Sequence, residues 1–472
     1  MWVRFRSLLV VSVVVGGAGT LRAQLPPGEE PALGFDRVTQ ADIESGALSL
    51  KEIRKAGLRV FSTPFNKLDG YGDGPMNPGN PTPPGGRPTL QNNGTFLRVN
   101  GLDAQTCLEC HAVGSNATVP FRFGIGGVGG SNANAIFQPT LIDVVDSLGS
   151  GFAAFDGRFI NPPFLFGSGG VELLGKEMTA DLQALKAAAQ ASPGVPVALA
   201  SKGVDFGTIV FDAISGTFDT SNVQGIDADL VVRPFGRKGE FPTVRAFDIA
   251  AMRFHFGMEP VEEVGAGVDG DGDGVVDEVL EGEISALHIF NTNLERPDQD
   301  KKAGNAPGAQ AGAQTFDAIG CADCHRPFLD TASRTLTYSF PEVATDPSAN
   351  VFYSVDLHKK PVKFPLNPTG GLRVPLFSDL KRHDMGPGLA ESFGSPLDAQ
   401  FITARLWGVA DTGPFLHDGR ATTLTDAILL HGGEAQAARD AFAARSAGER
   451  EDVLAFLRSL RTPERPAKGI DK

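Results

Sequence analysis

The clearest hydrophobic pattern in the chain lies near its C-terminus. Apolar residues recur at i, i+3, i+4 and i+7, at Val453, Phe456, Leu457 and Leu460, which is the spacing of one helical face. Pro463 follows three residues later and cannot continue a helix. The sequence therefore predicts an amphipathic helix that ends before Pro463.

A second helical pattern ends in a histidine. Thr423 and Asp426 form a typical helix start, and Gly432 comes where such a helix would end. One face carries Leu424, Ala427, Ile428 and His431. His431 is therefore expected to point toward the interior with the apolar residues. A helix-end histidine stabilised by the helix dipole is the alternative interpretation.

A third pattern surrounds another histidine. One predicted helical face carries Phe247, Ala251, Phe254, His255 and Met258. The spacing indicates that His255 is buried, and a hydrogen-bonded core histidine is favoured over a ligand.

The N-terminus resembles an export signal. Arg4 and Arg6 precede a short apolar run at 8–15, and Ala23 offers a small residue at a cleavage point. The run is short for a bilayer span, and no later segment approaches about twenty apolar residues. We expect a cleaved signal at 1–23 and a soluble periplasmic, or otherwise exported, mature protein without a membrane span. An uncleaved membrane anchor is the alternative.

Composition narrows the class of protein. With 472 residues the chain is too long for one small core, so two domains are expected. Gly (58) and Pro (33) are frequent, which favours long irregular loops around helices. The formal net charge of −14 argues against nucleic acid as a partner. It is compatible with a neutral or basic redox partner.

All four cysteines belong to two Cys-x-x-Cys-His motifs. The motifs are Cys107, Cys110 and His111, and Cys321, Cys324 and His325. Thiols three positions apart share a helical turn and can reach both vinyl groups of a porphyrin, and the next residue then supplies a proximal imidazole. A redox dithiol or half of a zinc site would not need the histidine, and disulfides are disfavoured for the same reason. The motifs predict two covalent c-type haems.

The positions of the motifs suggest a domain organisation. We expect an N-terminal c-haem domain at 24–250, a linker at 251–300 and a C-terminal cytochrome c-like domain at 301–472. The predicted fold class is mainly α with long irregular loops, built from two cytochrome c-like haem domains.

The predicted linker contains an acidic loop. Carboxylates occupy positions 1, 3, 5 and 9 of a calcium-loop pattern, at Asp269, Asp271, Asp273 and Asp277. Position 12 is Leu280 instead of glutamate, and Glu278 or Glu281 could substitute. Calcium that fixes the linker is one interpretation, and a solvated acidic turn is the other.

Several motifs together resemble the di-haem oxidoreductases described as putative peroxidases, relatives of the bacterial di-haem cytochrome c peroxidases. These motifs are GLDAQTCLECH (101–111), VRPFG (232–236), FHFGM (254–258), DGDG (269–272), HDMGPG (383–388), TGPFLHDGR (412–420), TL (423–424) and HGGEA (431–435). The resemblance implies two cytochrome c-like domains facing each other, a periplasmic location and peroxide or related oxidative chemistry. In the classical peroxidases a methionine ligand stands where this chain has His431.

The sixth ligand of each iron decides between reactivity and electron transfer, because a reactive haem needs an open position. His431 is the first candidate for the second haem and Met385 the alternative. No histidine lies between His111 and His255, so the first domain supplies no local distal histidine.

The resemblance also points to polar site residues. The stretch 164–173 resembles the distal region of the peroxidases and makes Glu172 the candidate catalytic acid, expected to have a raised pKa in a Phe-rich pocket. A second alignment of the same stretch points to Glu177, with Met178 as a ligand. Arg420, beside His417, is a candidate partner for a haem propionate.

The function hypothesis is a periplasmic di-haem oxidoreductase that reduces hydrogen peroxide at the N-terminal haem. Electrons would come from a small redox protein or another donor through the C-terminal haem. A non-enzymatic di-haem electron carrier is the first alternative, and an enzyme that oxidises a protein side chain or an organic substrate is the second. Trp407 is the one tryptophan outside the predicted signal, and core packing is favoured for it over a relay between haems.

Overall fold

The computed structural model describes residues 29–72, 105–111, 136–143, 154–392 and 394–463. The predicted signal at 1–23, the first four residues of the 101–111 motif and the end of the chain from 464 lie outside these ranges.

Helices are spread along the whole described chain. They are Gln40–Glu44 (α1), Leu50–Ser62 (α2), Ser168–Ala191 (α3), Val244–Ala251 (α4), Val261–Val264 (α5), Glu281–Thr292 (α6), Lys301–Gly304 (α7), Pro307–Ala318 (α8), Leu424–Leu429 (α9), Gln436–Ala443 (α10) and Ala447–Arg458 (α11). Helix α11 confirms the periodicity read near the C-terminus, and α9 begins after its predicted cap, Thr423, whose side chain accepts a hydrogen bond from the Asp426 amide. None of the described helices is long and apolar enough to cross a bilayer.

Short strands lie between these helices. They are Ile136–Asp143 (β1), Ala154–Ile160 (β2), Val197–Ser201 (β3), Val204–Asp212 (β4), Thr217–Asp219 (β5), Asp298–Gln299 (β6), Leu329–Asp330 (β7), Thr335–Ser339 (β8), Val351–Asp356 (β9), Arg373–Val374 (β10), Arg382–Asp384 (β11), Gln400–Ile402 (β12) and Leu460–Arg461 (β13). Strands β3, β4 and β5 form a three-stranded sheet, and the other described strands pair two by two, all antiparallel.

Helix makes up 36% and strand 14% of the structure. The expectation of a mainly α fold with two cytochrome c-like domains is therefore wrong, and the fold is a mixed one with several small sheets. The hairpin of β3 and β4 shows why. Its two-residue turn, Lys202 and Gly203, has φ angles of 52° and 79°, as a tight hairpin turn requires. Gly203 thus connects two short strands instead of lying in an irregular loop.

The larger hydrophobic core is built around α6. Helix α2 crosses it at Gly57, where a Cβ atom would lie 2.1 Å from the carbonyl oxygen of Ala286, so the helices meet backbone to backbone. Helix α3 approaches the end of α6 in the same way at Gly169. This core draws its buried residues from Leu33 to Trp407, on both sides of the predicted linker.

A smaller core lies between α8 and α11. Phe316, Val453, Phe456 and Leu457 are buried there. Gly312 allows the helices to touch, because a Cβ atom on it would lie 1.9 Å from the carbonyl oxygen of Asp452. The second cysteine motif packs against this core.

Candidate functional site

The first cysteine motif forms a short 3-10 turn, Cys107–Glu109. Buried Thr106 anchors it, since its hydroxyl donates to the carbonyl of Phe61 at 3.0 Å and accepts from the Leu108 amide at 3.3 Å. His111 leaves the turn with Nδ1 2.9 Å from the carbonyl oxygen of Pro163. A carbonyl can only accept, so Nδ1 carries the proton and Nε2 keeps a lone pair for a metal.

A cavity opens beside this motif. Its wall includes both cysteines of the motif, His111 and many aromatic side chains, among them Phe61, Phe164 and Phe247. The apolar, aromatic lining suits a large organic cofactor. Burial lowers the pKa of His111 to about 4, so its imidazole is neutral, the form that binds a metal.

His255 lies in the wall of the same cavity. It belongs to a π-helical turn, Met252–Phe256, that continues α4 and ends at Gly257, whose φ is 66°. Such turns re-aim side chains and are frequent at functional sites. The sequence favoured a core histidine here, whereas the structure brings half-buried His255 into the cavity of His111.

Asp248 is the acidic residue in the wall of this cavity. It is buried, its Oδ1 accepts from Asn291 Nδ2 at 3.0 Å, and its Oδ2 has no hydrogen-bond partner among the described residues. Burial, reinforced by the charge of Glu172, raises the pKa of Asp248 well above its ordinary value. The raised pKa favours the protonated form of Asp248, which could donate a proton into the cavity.

Sequence reasoning missed Asp248, although a signal was present. Val244, Phe247, Asp248 and Ala251 share one helical face, so the acid is the single charged residue on an otherwise apolar stripe. A carboxylate in that setting is either paired or functional.

Glu172 lies outside the wall of this cavity. It is fully buried, 2.8 Å from His288 Nε2 and 3.1 Å from Lys176 Nζ, and it accepts from the Val244 amide at 2.8 Å. Although burial opposes it, His288 and the Lys176 ammonium lower the pKa of Glu172. This is opposite to the raised pKa that the sequence led us to expect, because His288 comes from α6, far away in sequence, and Lys176 lies one turn further along α3. Glu172 holds the start of α4 in place.

Glu177 and Met178, the alternative candidates on the same helix, also make contacts within the protein. Glu177 accepts from the amides of Ala332 and Ser333, each at 2.8 Å, and pairs with Lys202. Met178 is fully buried in the larger core.

The second cysteine motif forms a matching 3-10 turn, Cys321–Asp323. His325 Nδ1 lies 3.2 Å from the carbonyl oxygen of Phe377, and His431 Nδ1 lies 2.7 Å from that of Ala427. In His431 this leaves Nε2 for a metal, whereas His325 has a further hydrogen bond with the backbone of Ala404. The ring centroids of His325 and His431 are 6.4 Å apart. Two imidazoles bound to one metal from opposite sides, by bonds of about 2.0–2.1 Å, have centroids about 6 Å apart.

This geometry agrees with a family match. Residues 287–460 match the family described as "Di-haem oxidoreductase, putative peroxidase", which includes the second motif and His431. Those residues are similar to the di-haem oxidoreductase family. The resemblance read from the motifs is thus confirmed, and the family implies haem cofactors.

Solved structures and curated proteins were also compared. Hydrazine synthase of Kuenenia stuttgartiensis, in a structure pressurised with 20 bar xenon, is 17% identical, with 38% of this chain and 55% of that chain covered and a TM-score of 0.24. A MauG-like protein associated with microbial copper homeostasis is 16% identical, with 63% and 85% covered and a TM-score of 0.27. This chain thus spans about half of the hydrazine synthase chain. No curated protein matches.

Met385, the alternative ligand in the di-haem oxidoreductase region, lies in a loop beside the end of α9. Its backbone amide donates to the carbonyl of Ala399 at 2.8 Å, and its own carbonyl packs against Gly432. His431 is the residue whose ring faces His325.

His383 is a charged neighbour of this second site. It lies between Asp379, 2.8 Å from Nε2, and Glu434, 2.7 Å from Nδ1, and close to Cys324. Burial opposes protonation, but the hydrogen bonds to Asp379, Cys324 and Glu434 raise the pKa of His383 to about 11. The ring is therefore a cation held by two carboxylates.

Arg420, the predicted propionate partner, is not among the residues that line the cavity of His111. Its side chain is 42% exposed, pairs with Asp418 at 2.5 Å and donates to the carbonyl of Gly388 at 2.8 Å. Another arginine, Arg405, lines the cavity of His111 and donates to the carbonyl of Pro234 at 3.2 Å. Arg405 therefore has the position that a propionate partner needs, and no sequence motif pointed to it.

The backbone around His417 forms hydrogen bonds with Asn161, which precedes the helix α3. Asn161 donates to the carbonyl of His417 at 2.8 Å from its amide, and to those of Pro414 and Leu416 at 2.7 and 3.0 Å from its side chain. Leu416 has a φ of 72°, a conformation that non-glycine residues rarely adopt. The His417 ring stacks on Phe401, with centroids 4.2 Å apart.

Trp407 is buried in the larger core. Its ring stacks on Phe364 at a centroid distance of 6.1 Å and covers Gly167, where a Cβ atom would lie 2.7 Å from the indole. These contacts are the core packing that the sequence favoured.

The acidic loop is only partly arranged as its spacing predicts. Asp269, Asp271 and Asp273 come within 4.8 Å of one another. Asp277 instead accepts from the Gly267 amide at 2.7 Å, and Leu280 caps α6. Asp271 also belongs to a second acidic group with Glu259 and Glu278.

Proposed function

We propose that the protein is an exported di-haem c-type oxidoreductase with peroxidase-like chemistry at the first site. Cys107, Cys110 and His111 would hold one haem, and Cys321, Cys324 and His325 the other, with His431 as the sixth ligand of the second. A bound haem supplies a redox-active iron that exchanges electrons with an oxidant. Arg405 would hold a propionate of the first haem.

The observation that carries the proposal is the buried acid Asp248 in the wall of the cavity of His111. Reduction of hydrogen peroxide breaks one O–O bond, takes up two electrons and two protons and releases two waters. Asp248 is buried with a raised pKa, and its free Oδ2 can deliver a proton to the leaving oxygen. Asn291 orients the carboxyl group through Oδ1.

The two sites would divide the work. Two facing imidazoles at the second site support a filled coordination sphere and an electron-transfer role. The negative net charge favours a neutral or basic redox protein as electron donor. The export signal at 1–23 supports a periplasmic location.

One observation favours a second candidate, a di-haem electron carrier. His255 lies in the same cavity as His111 and could fill the sixth position there. A carrier would keep that position filled in every redox state, whereas a peroxidase must open it.

Optical and EPR spectra of the haem-loaded full chain, fully oxidised and half-reduced, test the proposal. One high-spin haem in either state, together with consumption of one hydrogen peroxide for two electrons from a reduced donor, supports it. Two low-spin, six-coordinate haems that are inert to peroxide in both states would establish the electron carrier instead.

A further inference from the structure

We infer that His383 is a positioning residue, which holds His325 and His431 in the orientation that the second haem needs. Its side chain connects the segment that orients one imidazole to the segment that carries the other. The inference rests on the proposed function, because it takes His431 as the sixth ligand of the second haem. It goes beyond that function by giving a role to the motifs at 383–388 and 431–435, which the ligand set alone does not explain.

The ring of His383 forms a bridge between two carboxylates. Nε2 lies 2.8 Å from Oδ2 of Asp379, and Nδ1 lies 2.7 Å from Oε2 of Glu434. The imidazole is a cation, so both ring nitrogens donate. The side chain of His383 is 11% exposed and that of Asp379 is 4% exposed, so water competes little for the hydrogen bond between them. Charge-assisted hydrogen bonds on both sides fix the ring and the two chain segments that it joins.

One end of the bridge reaches the segment that orients His325. Asp379 lies two residues after Phe377, whose carbonyl oxygen is 3.2 Å from His325 Nδ1. Phe377 and Leu380 have φ angles of 54° and 60°, which residues with a side chain rarely adopt. Such a backbone persists only where its surroundings hold it in place. The hydrogen bond from His383 to Asp379 holds this segment between its two strained residues.

The other end of the bridge reaches the segment that follows His431. Glu434 Oε1 accepts from the Asp384 amide at 2.9 Å, so one carboxylate binds two consecutive residues of β11. Gly433 has a φ of 51°, and a Cβ atom on it would lie 2.1 Å from the carbonyl oxygen of Asp384. A side chain there would separate the two segments, which meet backbone to backbone. The turn after α9, which carries His431, is therefore docked on β11.

The bridge also lies beside the cysteine motif of the second site. One ligand atom each of Cys324, Asp379 and His383 lies within 4.8 Å of the others, and Cys324 directly precedes His325. A single side chain thus reaches three segments: the motif, the loop that orients the first ring and the turn that carries the second. These three segments determine where the two imidazoles lie.

The bridge has a consequence for the role of the second haem. A haem that transfers electrons keeps its sixth position filled, whereas an open position admits an external ligand. The hydrogen bond from His431 Nδ1 to Ala427 lies within one helical segment, so it orients the ring but does not tie the segment to His325. We therefore expect loss of the bridge to change the angle between the two ring planes, which is 56° in the structure, and to make the second iron accessible.

EPR spectra and a cyanide titration of the oxidised, haem-loaded full chain test the inference. The g values of a low-spin ferric haem depend on the angle between its two axial imidazole planes, and the signal that His431→Met alters identifies the second haem. His383→Gln removes the charge and one end of the bridge. We expect the signal of the second haem alone to shift, and cyanide to bind this haem at least tenfold more tightly than in the wild type. Unchanged g values and cyanide affinity would overturn the inference.

Two further variants and a control accompany this measurement. Asp379→Asn and Glu434→Gln each weaken one end of the bridge and should shift the same signal to a smaller extent, which provides the test if His383→Gln does not fold. His358→Gln is the matched control, because His358 Nδ1 lies 2.8 Å from the carbonyl oxygen of Phe364, a residue of the larger core. It should leave both haem signals unchanged even if it lowers the Tm. An equal shift in the control would assign the effect to general destabilisation and overturn the inference.

These measurements use no peroxide, so they are independent of the proposed activity. The wild-type spectrum first shows whether the second haem has two imidazole ligands. A wild type without that signal would refute the ligand set of the proposed function, and the inference with it. A wild type with that signal, together with an unaltered His383→Gln variant, would refute the positioning role alone.

Discussion

His325 and His431 face each other with ring centroids 6.4 Å apart, although 105 residues separate them in the sequence. Each ring is fixed by a hydrogen bond from Nδ1 to a backbone carbonyl. The orientation is therefore set by α9 and by the loop at Phe377. The space between the rings suits one metal ion with two imidazole ligands.

His431→Met should raise the reduction potential of the second haem. A thioether ligand stabilises ferrous iron relative to imidazole, and axial ligands span a range of ~0.8 V. A spectroelectrochemical titration should show one of the two haems shifted to higher potential and the other unchanged. Met385→Leu is the matched control and should leave both potentials in place. A shift in the control instead would identify Met385 as the ligand.

Asp248→Asn should slow peroxide reduction by about 10²–10⁴-fold, the range for loss of a general acid. The amide is isosteric and can still accept from Asn291, so the spectra of both haems should be unchanged. In the wild type the rate should fall as the pH rises through the raised pKa of Asp248, since only the protonated form donates. A steady-state assay with a reduced donor measures both effects. Full activity in this variant would mean that the proton comes from another group.

Glu172→Gln should lower the free energy of unfolding by roughly 3–5 kcal/mol, because one partner of a buried charged group is removed. The folded-state pKa of Glu172 is lowered. Its stabilising contribution is therefore complete above pH 4.5, the ordinary value, and is lost as the pH falls below it. Urea unfolding from pH 7 to pH 3 should show a wild-type loss that the variant lacks.

Glu263→Gln is the control for that measurement. Glu263 pairs with Arg253 at 2.8 Å, and both side chains are about one third exposed, so the change should be under about 1 kcal/mol. If Glu172→Gln is no more destabilising than this control, the buried pair is not a structural element. Reduced peroxide turnover per folded Glu172→Gln molecule, with both spectra intact, would instead support a catalytic role for the carboxylate.

Gly312→Ala should lower the Tm measurably. The added methyl would lie 1.9 Å from the carbonyl oxygen of Asp452, so α8 and α11 must separate, at a cost of about 1–3 kcal/mol or more. Gly448→Ala is the control within α11, where nothing lies within 4 Å, and should be neutral or slightly stabilising. Calorimetry of the haem-loaded chain compares them. Equal Tm values would show that the helices tolerate the wider spacing.

Local patterns could be predicted from the sequence. The period of Val453, Phe456 and Leu457 predicted α11, and Thr423 with Asp426 predicted the start of α9, because helix capping and amphipathicity depend on residues within a few positions. The small sheets were missed because their strands are short, so the alternation of apolar and polar residues does not extend far. Two-residue turns such as Lys202–Gly203 then resemble loop sequence.

Long-range relationships explain the remaining errors at the site. Glu172 seemed a free acid because its partner His288 is 116 residues away. Asp248 and Arg405 reach the same cavity from segments that no motif connects. The hydrogen bonds between Asn161 and the loop at 414–417 likewise could not be predicted from the sequence.

Asn161 is followed by two prolines, and the carbonyl of the second, Pro163, is the one that holds His111. Proline fixes φ, so the two prolines form a short, conformationally restricted segment. Asn161 anchors this segment through its hydrogen bonds to the carbonyls of Pro414, Leu416 and His417. A shift of that loop would therefore displace the carbonyl that orients the ring of His111.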